Sequence, residues 1–206
     1  MRSLPADLKI LQARLLRLNF YHGEVDGKWG PQTWAAFNDL IDSISVAVPS
    51  VPQGKSIIWD QPVSKRDIHE IIIHCSATKA SQPVTREEIR AWHLARGFND
   101  IGYHYIIHQD GLVEMGRPEA RIGAHAEGHN TGSLGVCYIG GLSDEGGAKD
   151  TRTPEQSSAL TNIVTELCRK YPTIKQVSGH NQYSTKACPS FIVKNDPVSH
   201  IPLEKH

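Results

Sequence analysis

The segment EIIIHCSA at residues 70–77 constrains the fold more than any other part of the chain. It is a short, unbroken apolar run, the pattern of a strand buried on both faces. Such a strand needs helices on either side of its sheet, and the flanking sequence supplies them. TREEIRAWHLARG (85–97) opens with Thr85 three residues before Glu88, a capping box, and stops at Gly97, so a helix is predicted. PEQSSALTNIVTELCRKY (154–171) predicts a long amphipathic helix starting at Pro154. Between the two, HYIIHQDGLVEMG (104–116) sets an Asp-Gly pair between β-prone runs, a hairpin signal. SLGVCYIGG (133–141) and KQVSGH (175–180) predict further strands. Strands interleaved with helices make an α/β unit, a mixed central sheet flanked by helices.

The first fifty residues follow a different rhythm. Leu8, Leu11, Leu15 and Leu18 recur at helical spacing, a turn cluster with three glycines spans Asn19 to Gly30, and Pro31 opens a second periodic run through Trp34, Phe37, Leu40, Ile41 and Ile44. A small all-α domain is predicted over 1–47. VPSVPQGKS (48–56) has linker composition, which places a linker at 48–62 and the α/β domain at 63–206. With 39% hydrophobic residues in 206, two modest cores are possible.

Composition also narrows the partners. Lys plus Arg (22) equals Asp plus Glu (22), and no basic stretch is interleaved with aromatics, so no nucleic-acid partner is expected. No apolar run approaches the ~20 residues of a membrane helix, so no membrane insertion is expected. The opening MRSLPADLKILQARLLRLNF alternates charge with leucine and lacks a signal-peptide core, so the chain is expected to start in the cytoplasm. A monomer is expected. The cysteines, Cys75, Cys137, Cys168 and Cys188, are irregularly spaced, which favours thiols or metal ligands over a disulfide framework.

His74 stands in the middle of the apolar strand, where an imidazole needs a partner. His180 follows the last strand and Cys188 comes eight residues later, so a loop can return the thiolate toward the imidazole. Two histidines and a cysteine suit a catalytic zinc with its fourth position open. The chain holds 11 histidines, and on spacing alone any one of them is more often a satisfied core or surface residue than a ligand. Cys75 neighbours His74, but successive strand side chains point to opposite faces, so the two are not expected to bind one ion. Cys137, in a strand, and Cys168, on a helix stripe, read as core.

HCSATK (74–79), GYHYII (102–107), DGLVEMGR (110–117), GAHAEGHN (123–130), SLGVC (133–137) and KACPSF (186–191) together resemble, in order, the type 2 N-acetylmuramoyl-L-alanine amidases, most closely their small phage-lysozyme branch. The resemblance covers roughly residues 66–195. It implies zinc held by His74, His180 and Cys188, with catalytic helpers at Tyr103 and Lys186. It implies cleavage of the amide between N-acetylmuramic acid and L-alanine in peptidoglycan, and the missing signal-peptide core suits a phage or prophage endolysin that waits in the host cytoplasm and reaches the wall when something else opens the membrane. His125 and Asn130 match a segment that borders the family's substrate groove, and Trp92 is a candidate groove wall. No carboxylate base is identified; Glu114 on the hairpin is a candidate.

LQARLLRLNFYHGEVDGKWGPQTWAAF (11–37) is similar to the single-copy peptidoglycan-binding helical module, whose hallmark pattern falls here on Asp26 to Thr33. That family often has Phe-Gln near the end of its second long helix, where this chain has Phe37-Asn38. Two rivals remain. A recognition protein that binds the wall without cutting typically lacks the cysteine ligand, which Cys188 argues against; an intracellular muropeptide-recycling amidase needs no tether.

Overall fold

The computed structural model describes residues 4–28, 32–33, 35–37, 39–40 and 62–203. Its contacts divide the chain into two compact units, Met1–Gln53 and Gly54–His206. Trp29, Gly30, Pro31, Trp34, Asn38, Ile41, Ile44 and nearly all of the expected linker lie outside the described residues.

In the first unit, helix α1 (Leu4–Arg17) packs Leu11 and Leu15 against Tyr21, Phe20, Ala36 and Phe37. Leu18 does not continue the stripe. The helix ends at Arg17, Asn19 takes a left-handed φ of 63°, and Leu18 is 56% exposed. The polar residue Gln12 is instead fully buried. The two hydrogens of its amide nitrogen are shared among Asp26 Oδ1, the Lys28 carbonyl and Thr33 Oγ1, each at 3.0 Å, and its oxygen accepts from the Gly27 N–H at 2.7 Å. A buried amide with every partner present pins the 26–28 turn, where Gly27 has φ 77°, onto α1.

The second unit is built on a five-stranded sheet. Strand β1 (Glu70–Cys75) is central, hydrogen-bonded in parallel to β5 (Ser133–Tyr138) on one side and β7 (Gln176–Gly179) on the other. β3 (Tyr105–Ile107) extends the sheet beside β5 in parallel, and β4 (Val113–Met115) closes it as the antiparallel edge. The order is β4-β3-β5-β1-β7. Two short strands, β2 (Thr78–Lys79) and β6 (Gly141–Leu142), pair separately in parallel. The Asp-Gly hairpin forms between β3 and β4, with Gly111 at φ 84°.

Strand alternation separates the two faces. Ile71, Ile73, Tyr105, Ile107, Leu134, Val136 and Tyr138 point to a core closed by helix α3 (Pro154–Lys170) and by Val193, Val198 and Ile201 from short 3-10 turns. Ile106 and Ile139 point the other way, onto Val84, Ile101 and Ile89 of helix α2 (Arg86–Ala95). The mixed sheet is thus flanked by helices. Both helices start at capping boxes, Thr85–Glu88 as expected and Thr153–Gln156, which was not anticipated. Gln156 also donates to the Ile107 and Ile139 carbonyls, tying α3 to the sheet.

Candidate metal centre

On the α2 face the side chains of β1 and β5 change character. His74 follows Ile72 on β1, and Ser133, Gly135 and Cys137 leave room above β5. His74 pairs in register with Cys137 and is fully buried. His180 begins the 3-10 turn that directly follows β7, and the loop after it returns Cys188 to the end of β1. There the Cys75 backbone N–H donates to Cys188 Sγ at 3.2 Å. Cys75 therefore meets the site through its backbone, while its side chain faces the α3 core and approaches Ser190 Oγ at 3.7 Å.

His74, His180 and Cys188 each present one ligand atom, all within 4.8 Å of one another. The donor set fits a metal. A tetrahedral zinc with ordinary Zn–N and Zn–S lengths holds its nitrogen and sulfur ligands about 3.6 Å apart; His74 Nδ1 and Cys188 Sγ stand 3.7 Å apart. Burial, followed by the neighbouring His125 and His180, holds the His74 imidazole well below its ordinary value. Burial and the nearby Lys186 ammonium lower His180 as well. Both rings are therefore neutral, the form that binds a cation. The Cys75 side chain and burial push the Cys188 thiol up, against the Cys75 backbone N–H that lowers it, so its thiolate needs a cation to be stable here.

Around this triad, Tyr103 sets its ring 5.1 Å from that of His74. Burial, reinforced by the surrounding cysteines, pushes its phenol well up, so Tyr103 keeps its proton and can donate a hydrogen bond. Lys186 is exposed two residues from Cys188. Glu114 has both oxygens engaged, with Arg86 Nε at 3.2 Å and His108 Nε2 at 2.9 Å, which removes it as a free base.

The three expected substrate contacts differ in placement. Trp92 is partly exposed on α2, next to the buried His93, which accepts the Gly102 N–H at 2.7 Å. Asn130 engages its Oδ1 with the backbone N–H groups of His125 and Ala126, at 2.8 and 3.0 Å. His125 is buried, with Nδ1 3.1 Å from His74 Nε2. What holds this loop was not foreseen from the sequence. Arg66 donates to the carbonyls of Glu119, Arg121, Asn130, Thr131 and Ser133 at 2.7–3.0 Å. Beneath it, the buried Glu119 carboxylate accepts from Tyr105, from Lys170 Nζ at 2.6 Å and from Tyr171 at 2.6 Å. A basic residue just after a linker carries no local signal for such a role.

Residues 64–191 match the family described as N-acetylmuramoyl-L-alanine amidase. The endolysin of Escherichia phage T7 is 46% identical over 124 residues, 60% of this chain and 82% of the relative. A peptidoglycan-recognition protein of Drosophila melanogaster is 30% identical over 128 residues, 62% of this chain and 68% of the relative. Among solved structures, the N-acetylmuramoyl-L-alanine amidase LysC of Clostridium intestinale URNW is similar with a TM-score of 0.57 and 28% identity, covering 68% of this chain and 89% of that one.

Proposed function

The chain belongs to the N-acetylmuramoyl-L-alanine amidase family, and on that footing we propose that it is a zinc-dependent phage or prophage endolysin hydrolysing the amide between N-acetylmuramic acid and L-alanine. The observation that carries the metal reading is the convergence of His74, His180 and Cys188 within 4.8 Å. Zinc, when bound there, supplies Lewis acidity toward a carbonyl and lowers the pKa of water to about 7.

The chain's own groups account for the rest. Cys188 and the two neutral imidazoles would hold the cation, three protein ligands that would leave room for water or substrate. Lys186, an exposed cation two residues from Cys188, offsets the negative charge that grows on the amide oxygen as the carbon becomes tetrahedral. Tyr103, protonated and fixed beside His74, donates a hydrogen bond to the same developing charge or to the leaving nitrogen. Trp92, Asn130 and His125 are the proposed substrate-facing residues; Trp92 offers exposed ring surface, Asn130 spends its Oδ1 on the backbone of its own loop, and both ring nitrogens of His125 lie against His74 and Ser133.

Residues 1–47 are proposed as a wall-binding tether and peptidoglycan as the partner of both units, with the protein acting as a monomer. In this reading the protein gathers in the host cytoplasm and meets the wall after the membrane opens. Among the described residues no helix is long and apolar enough to cross a membrane.

Mass spectrometry of purified sacculi digested with zinc-loaded protein and with Cys188→Ala tests the proposal. Expected are free stem peptides beginning at L-alanine, intact glycan strands and an inactive variant. Cleavage that survives the loss of Cys188 would sink the metal site, and binding without product would make the chain a recognition protein.

A further inference from the structure

His125 lies behind His74, on the side away from Cys188. The protons along this line are fixed by their partners. Ser133 Oγ has one hydrogen, and it goes to the His129 carbonyl at 2.7 Å, because a carbonyl can only accept. Toward His125 Nε2, 3.4 Å away, Ser133 is therefore the acceptor, and Nε2 carries the His125 proton. His125 Nδ1 is then a bare lone pair. It accepts from His74 Nε2–H at 3.1 Å. A neutral imidazole has one N–H, so His74 Nδ1 is left unprotonated, and that is the nitrogen facing Cys188 Sγ at 3.7 Å. The opposite assignment would set two lone pairs against each other between His125 and Ser133.

The surroundings hold His125 in this pose. Its backbone N–H is bound by Asn130 Oδ1. Its ring lies on Gly135 and Gly123, where an added β-carbon would fall 2.6 Å and 2.4 Å from ring carbons. Arg66 fastens the backbone on both sides of the loop at Arg121 and Asn130.

We propose that His125 is a positioning residue that sets the tautomer of His74, presenting Nδ1 as the metal-binding lone pair through a Ser133–His125–His74 hydrogen-bond line. The assignment rests on the zinc reading above. Partners behind a metal-binding histidine fix its ring and its tautomer, and their loss typically costs about 10- to 100-fold in metal affinity.

Two variants of similar size separate hydrogen bonding from packing. His125→Asn can place an acceptor oxygen where Nδ1 stood; His125→Leu fills the same space without one. Zinc affinity of the full chain is measured by chelator competition, with Cys188→Ser as the control. His125→Leu is expected to bind zinc about 10- to 100-fold more weakly, and His125→Asn within about threefold of the unmodified chain. In the zinc-loaded unmodified chain, nitrogen–proton correlation spectra are expected to show the His74 proton on Nε2, a reading that needs no variant to fold. Unchanged affinity in His125→Leu, equal losses in both variants, or a His74 proton on Nδ1 would each overturn the assignment. If the unmodified chain binds no more zinc than Cys188→Ser, the metal reading fails first and takes this one with it.

Discussion

Tyr103 has imidazoles on two sides, with ring centroids 5.1 Å from both His74 and His93. The phenol ring is part of the packing, so its hydroxyl can be removed with little disturbance. Tyr103→Phe is expected to keep zinc and fold while kcat falls about 10²- to 10³-fold, the usual cost of one donor to a developing oxyanion. Steady-state hydrolysis of a soluble muropeptide checks this; a kcat within about threefold of the parent would remove Tyr103 from the chemistry. At this scale the sequence was informative where a residue sits beside its motif and silent where its partner is distant. His74, His180 and Cys188 are legible together through the family resemblance. The tie of His125 to His74 spans 51 residues, and that of Glu119 to Tyr171 spans 52. No local pattern encodes either contact.

Strand β5 carries two roles in alternate positions. Leu134, Val136 and Tyr138 fill the α3 core, and Ser133, Gly135 and Cys137 line the metal side. The smallness of the second set makes room for His125. Gly135→Ala is expected to lower stability by about 1–3 kcal/mol, as overpacking does, because the new β-carbon meets the imidazole. Denaturant unfolding measures it, and a variant as stable as the parent would mean that the ring does not rest on Gly135. Elements were the most legible level of this fold. The unbroken run at 70–75, the Thr85–Glu88 box, the Asp-Gly turn and Pro154 each act within a few residues, so each announces itself locally. Gln12 did not, because it sits where a helical stripe predicts an apolar residue. Its worth lies in a turn 14 to 21 positions away.

At the scale of the whole molecule, the chain joins a catalytic unit to a smaller helical one. If the smaller unit is a tether, its value is local concentration and not chemistry. Deleting residues 1–53 is then expected to reduce hydrolysis of intact sacculi several-fold while hydrolysis of soluble fragments stays within about twofold. Parallel assays on the two substrates decide it, and equal losses on both would end the tether idea. The placement of the metal ligands has a further meaning, in time. His74 is made 114 residues before Cys188, and β7, which pairs with the far side of β1, lies between them in the chain. At about 5–20 residues per second, an emerging chain spends about 6 to 23 seconds with its first ligand and without its last. Until Cys188 is added the chain lacks the last of its three proposed metal ligands, so the proposed centre cannot be complete before then.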